Sequence, residues 1–164
     1  MANYLEQLVS EWYEFQGYFV RRNVLVGKRK EGGYDCELDV VAFHPESKEL
    51  VHIEPTMDAD SWKKRETRYK KKFACGKKHI PKLFSGVATP TQIKQIALFG
   101  YMGRNPRRTL AGGQVKTLRE LLKDISHKLE SHRTAENIVP ERFTILRTMM
   151  FMVEHRKDIF DSTI

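Results

Sequence analysis

The stretch YDCELDVVAFHPESKELVHIEPT, Tyr34 to Thr56, constrains this chain most. It reads as two apolar strands, and PESKE, residues 45–49, supplies the turn between them. Yet Asp39 and Glu54 sit inside those strands. A carboxylate on a core strand is costly unless a charged group lies beside it. Strand side chains alternate faces, so Asp35, Glu37, Asp39, Val41 and Phe43 are expected on one face, and Tyr34, Cys36, Leu38, Val40 and Ala42 on the other. On the next strand Leu50, His52, Glu54 and Thr56 share a face. A hairpin then brings Asp39 beside Glu54. Two carboxylates that close repel, and one pKa rises. A divalent cation relieves the conflict. Hard oxygen ligands suit Mg2+ (or Mn2+), held by one or two carboxylates with several waters retained. The Pro55 carbonyl is the expected additional ligand. His52 reads as a polar group of the core or surface rather than a ligand.

The elements around this hairpin follow from periodicity. Leu5, Leu8, Trp12 and Phe15 recur at helical spacing, which predicts a helix over 3–16 ended by Gly17. Residues 18–26 and 35–43 read as strands, with a third at 50–56. Asp58 is the expected N-cap of a helix over 59–73, with Gly76 just past its end and Trp62 packing on the core. A fourth strand falls within 92–101, and 102–113 reads as a loop. Helices are expected over 117–132, where Leu118, Leu121, Leu122, Ile125 and Leu129 share a face, and from Pro140 to about His155. The order α-β-β-β-α-β-α-α implies an α/β sheet flanked by helices.

With 164 residues and 40% apolar content, the chain suits one domain with a real core. The opening MANYLEQLVSEWYEF lacks the basic region and apolar run of a signal peptide, and no apolar stretch reaches membrane-spanning length. Cys36 and Cys75 have neither disulfide-framework nor zinc spacing, and read as reduced thiols of a cytoplasmic protein. The net charge is +8, and Ser61 to Lys82 alone holds ten Lys and Arg against the single acid Glu66. Such density points to a polyanion, nucleic acid first. Lys63, Lys64, Arg65, Arg68, Lys71, Lys72, Lys77 and Lys78 are the expected phosphate-binding residues, with Arg21, Arg22 and the GRNPRR loop extending the grip.

Asp39 in ELDVVAF, Glu54 in VHIEPT and Glu6 in YLEQLVSEWYEFQGYFV together resemble the PD-(D/E)xK restriction-endonuclease-like nuclease superfamily over residues 4 to 100. Asp39 resembles its metal-binding aspartate and Glu54 the first residue of its (D/E)xK element. Glu6, with Glu11 as the fallback, resembles the helix-one glutamate ahead of a Gly-aromatic strand entry, here Gly17-Tyr18. The resemblance implies an αβββαβ core (about 3–100) with a mixed sheet, a C-terminal helical part (about 115–156), and one nuclease-like domain spanning 1–164. It implies a Mg2+-dependent endonuclease that hydrolyses phosphodiester bonds, DNA favoured. The family's lysine position falls on Thr56, which carries no charge. Either Lys63 or Lys64 on the next helix takes that role, or the chain is a weak or inactive nucleic-acid-binding module on the same fold. Arg65 and Tyr69 resemble the Gln-xxx-Tyr element of some members, which would set Arg65 on the scissile phosphate. A homodimer would suit duplex cleavage. A third reading makes the chain a subunit of a larger protein complex, docking through helices 117–155.

Overall fold

Leu5, Leu8, Val9 and Trp12 are buried along α1 (Tyr4–Phe15). Gly17, at φ 91, reverses the chain into β1 (Phe19–Lys28). β1 pairs antiparallel with β2 (Tyr34–Phe43), and β2 with β3 (Leu50–Thr56). The basic helix α2 (Trp62–Leu83) crosses over to β4 (Lys94–Phe99), which runs parallel to β3. A short hairpin of β5 (Thr109–Leu110) and β6 (Gly113–Thr117) closes the sheet, with β6 parallel to β4. The fold is therefore α/β, a mixed six-stranded sheet in the order β1-β2-β3-β4-β6-β5 with flanking helices. The computed structural model describes residues 4–87, 92–103 and 106–160.

The chain divides into two compact units, residues 1–118 and 119–164. The sheet unit also extends past residue 100, because 102–113 is not all loop. Ala111 (φ 50) and Gly112 (φ 81) make a two-residue turn with both central residues left-handed, which brings Leu110 opposite Gly113. Strands this short leave little alternation to read. The second unit contains most of α3 (Leu118–Leu129), with α4 (Thr144–Glu154) and α5 (Arg156–Phe160). Its penultimate helix opens at Thr144, not at Pro140, whose carbonyl accepts the Phe143 N–H in a preceding turn. Among the described residues no helix is long and apolar enough to cross a membrane.

Both faces of β2 and β3 are buried near their shared end. Val41, Phe43 and Leu50 cluster with Ile80 of α2. Val40, Ala42, Val51 and Ile53 have the opposite parity and are at most 1% exposed, so the other face is covered as well. Tyr69, Phe73, Ala97, Phe99, Leu110 and Val115 form a second cluster under α2.

Three local expectations are corrected. α2 does not stop before Gly76. That glycine lies inside the helix, where a Cβ would run into the His52 ring, so its absence lets α2 approach β3 closely. The N-cap is Ser61, while the Asp58 carboxylate accepts from Arg68 at 2.6 Å. Finally, the alternation of β2 slips. The register steps from Arg22↔Val40 to Val24↔Leu38, past Asn23 opposite Asp39. Asn23 has φ 51, a left-handed conformation that Asn tolerates. Cys36 and Asp39, three residues apart, consequently both reach α2, through Cys75 and Lys72 respectively. The two cysteines are disulfide-bonded rather than reduced thiols, with Cα atoms 6.7 Å apart. Their separation of 39 residues hides the fact that β2 and α2 lie side by side.

Candidate active site and basic cleft

The antiparallel register of β2 and β3 continues from Val40↔Ile53 to set Asp39 opposite Glu54. The Asp39 N–H lies 3.4 Å from Glu54 Oε1. The third member is Lys72 of α2, whose Nζ donates to Asp39 Oδ1 at 2.9 Å and Oδ2 at 2.8 Å, and also to Glu54 Oε2. Two carboxylates and one ammonium thus meet at the β2–β3–α2 junction.

A buried polar chain fixes Glu54. His52 Nε2 is 2.7 Å from Glu54 Oε1, and Gln95 Nε2 is 3.2 Å from His52 Nδ1. An amide nitrogen only donates, so Nδ1 accepts and the ring hydrogen sits on Nε2, directed at Glu54. Gln95 Nε2 also donates to the Phe73 carbonyl at 2.9 Å, which ties the chain to α2. Tyr69 donates to the Glu54 backbone carbonyl at 2.9 Å. Glu54 is oriented at both its backbone and its carboxylate.

Electrostatics separates the two acids. Burial pushes the Asp39 carboxyl up, the adjacent Glu54 adds to the push, and Lys72 only partly opposes it, leaving Asp39 at about 8. Burial also acts to raise Glu54, but the hydrogen bonds from His52 and Asp39 outweigh it and hold Glu54 down to about 2. Burial opposes the charge on Lys72, yet Glu54 and Asp39 together keep its pKa above the ordinary lysine value. One carboxylate is permanently charged, and the second holds its proton into the neutral range.

The arrangement can hold a cation. Among the described residues no group of three or more His, Cys, Asp or Glu side chains is placed to hold a metal. The donor set is two carboxylates already converged on a cationic nitrogen. That fits an ion such as Mg2+, which binds through one or two carboxylates and keeps its waters. Lys72 is 30% exposed and has a flexible stem, so it can move aside.

Beside the site opens a cleft of about 720 Å³, lined by Asp35, Cys36, Lys63, Lys64, Thr67, Arg68, Lys71, Lys72 and Cys75. Five of those nine residues are cationic.

The remaining predicted residues fall as follows. Lys63, Lys64, Lys71, Lys77 and Lys78 are exposed on α2, and Arg21 and Arg22 are exposed on the edge strand β1. Neither Lys63 nor Lys64 bonds to Asp39 or Glu54; the lysine that does is Lys72, more than two helical turns further on. Arg68 is turned toward Asp58 and Asp60, at 2.6 and 3.3 Å. The Thr56 hydroxyl accepts the Asp58 N–H at 3.2 Å, so it shapes the exit from β3. Pro55 is buried and aligned with Leu98 in the parallel ladder. Glu6 is half-buried and Glu11 accepts from Gln7 at 2.9 Å; neither bonds to Asp39 or Glu54. Arg104 and Asn105 of the GRNPRR loop lie outside the described residues.

Arg65 corrects an expectation. It is 3% exposed, its guanidinium lies 4.2 Å from the Phe99 ring centroid, and it donates to the carbonyls of Asp58 and Tyr101 at 2.5 and 3.1 Å. Arg65 ties the β3–α2 and post-β4 loops together from inside and does not face the cleft.

Lys72 carried a readable signal. Arg65, Tyr69, Phe73 and Gly76 form the buried stripe of α2, and Lys72 lies three residues from Tyr69 and four from Gly76. A lysine on the buried stripe of a helix needs a carboxylate across from it. Compared with protein-family models, curated proteins and solved structures, the chain matches none.

Proposed function

We propose that the chain is a metal-dependent nuclease of the PD-(D/E)xK kind, acting on nucleic acid with DNA favoured, in which Lys72 replaces the lysine missing at Thr56. The observation that supports this most is the convergence of Asp39, Glu54 and Lys72 at the edge of a basic cleft. Asp39 and Glu54 would hold the divalent ion, which when bound supplies a water of lowered pKa and neutralises phosphate charge. His52 and Tyr69 orient Glu54 so that its carboxylate needs no rearrangement to act as a ligand. Lys72, displaced from between the carboxylates, is left as a mobile cation at the same spot, placed to pair with a non-bridging phosphate oxygen. Lys63, Lys64 and Lys71 line the cleft and hold the backbone on either side.

The test is incubation of purified protein with plasmid and linear DNA in Mg2+ or Mn2+ against EDTA. Cutting that needs the metal, is lost in Asp39→Ala and Glu54→Ala, and leaves DNA binding largely intact in both is expected. Cutting retained in both variants removes this reading. Tight binding with no cutting in either metal replaces it with a non-catalytic binder.

A further inference from the structure

A second hollow lies at the other end of α2, and the proposed reaction does not use it. Its volume is about 520 Å³, and its lining includes Lys28 at the end of β1 and Arg29 just after it, Tyr34 at the start of β2, and Lys78 and Lys82 of α2. Asp35 lines both this hollow and the cleft beside the active site, so the two are neighbours.

Charge in this hollow is unbalanced. Four side chains are permanently cationic and Asp35 is the one acid among its lining residues. Asp35 is shared by Lys78 at 3.1 Å, Arg29 at 3.2 Å and His79 at 3.1 Å. It is built into that position: Gly27 (φ 70) passes beneath it, where a Cβ would collide with the carboxylate. Lys28 and Lys82 are exposed and make no ion pair among the described residues. Tyr34, 42% exposed, presents a ring beside these cations. Cations with an open aromatic ring are what a nucleic-acid strand requires, the first for phosphates and the second for a base.

Distance relates the hollow to the active site. Lys72 and Lys82 are ten residues apart on one helix, which is about 15 Å at 1.5 Å per residue. At about 3.4 Å of axial rise per nucleotide in a stacked strand, that span covers roughly four nucleotides.

We propose that this hollow is a second phosphate-binding subsite, which holds the same nucleic-acid strand about four nucleotides from the Asp39–Glu54–Lys72 site and stacks one base on Tyr34. The proposal rests on the nucleic-acid reading above, and its test is separate from cleavage.

The full chain is titrated in EDTA with fluorescent oligo-dT of 4 and 12 nucleotides across a range of salt. The comparison is wild type against the double variant Lys28→Gln/Lys82→Gln and against Tyr34→Ala. Each phosphate contact on a single strand contributes about 0.7 to the slope of log K against log salt, so the double variant is expected to lose about 1.4 on dT12 and nothing on dT4. Tyr34→Ala is expected to weaken dT12 at least about fivefold and to leave an abasic 12-mer unchanged. Equal slopes in wild type and double variant overturn the subsite, as does an equal effect of Tyr34→Ala on the abasic strand. If wild type cuts DNA but those slopes are equal, the subsite fails alone. If the slopes differ but Asp39→Ala and Glu54→Ala still cut, the nuclease assignment of that site fails alone.

Discussion

Replacing Lys72 by methionine removes one ammonium and leaves two carboxylates facing each other. Glu54 keeps a side chain 1% exposed and Asp39 one 15% exposed, so neither can turn fully into water. Removing one partner of a buried ion pair costs about 3–5 kcal/mol, because the remaining charge is uncompensated. Lys72 itself is 30% exposed, so water can enter the vacated space, and the low end applies: about 3 kcal/mol. For a chain of this size that is a fall of roughly 10 °C in melting temperature. Thermal and urea melts at pH 9 in EDTA, above the value of about 8 at which Asp39 releases its proton, are the assay. Adding Asp39→Asn to Lys72→Met removes the repulsion and should restore at least about half of the loss, since coupled neighbours are not additive. A divalent ion at 100 times its Kd should restore about 2.7 kcal/mol to the single variant. A loss under about 1 kcal/mol, with no coupling between the two substitutions, would refute the shared-charge reasoning.

Other perturbations give distinct outcomes. Asp39, raised to about 8 in the folded state, binds a proton that the unfolded chain has released. Its stabilising contribution is therefore full at low pH and is lost as pH rises through about 8. Denaturant melts from pH 6 to 9 without metal should show falling stability that Asp39→Asn flattens. Divalent-ion affinity should rise over the same interval, because the ion needs Asp39 ionised; calorimetric titration at several pH values reads this. Reducing the Cys36–Cys75 bond, which spans 39 residues, should lower stability by up to about 4 kcal/mol, read by melts with and without reductant and by Cys36→Ser/Cys75→Ser. Gly76→Ala should destabilise by about 1–2 kcal/mol, as the clash with His52 outweighs the gain in helix propensity. A stabilised alanine variant in urea melts would contradict the close approach of α2 to β3.

The β2–β3 hairpin was the most legible part of the chain. PESKE marks its turn, and the pairing that aligns Val40 with Ile53 carries Asp39 to Glu54 without further assumption. Features that depend on contacts between distant elements were harder to read. Cys36 and Cys75 meet because α2 lies along β2, and the slip in alternation at Asn23 puts Cys36 on that side. Gly76 resembles a helix terminator until the His52 ring beneath it is known. Arg65 and Lys72 sit in a run of cations that look alike in sequence. One is buried against Phe99 and the other, partly exposed, is held by two carboxylates, and helical spacing from Tyr69 separates them from their exposed neighbours. The β5–β6 hairpin was missed because its first strand is two residues long and its turn starts with Ala111 rather than Asn or Gly.

The account rests on Asp39 and Glu54 sharing one cation. Anomalous diffraction from crystals grown with Mn2+ tests it most directly. The predicted result is a peak within about 2.3 Å of a carboxylate oxygen from each residue, with the Lys72 ammonium moved away from between them. A Lys72 nitrogen still bridging both carboxylates at saturating Mn2+, with the metal bound elsewhere or not at all, would contradict it.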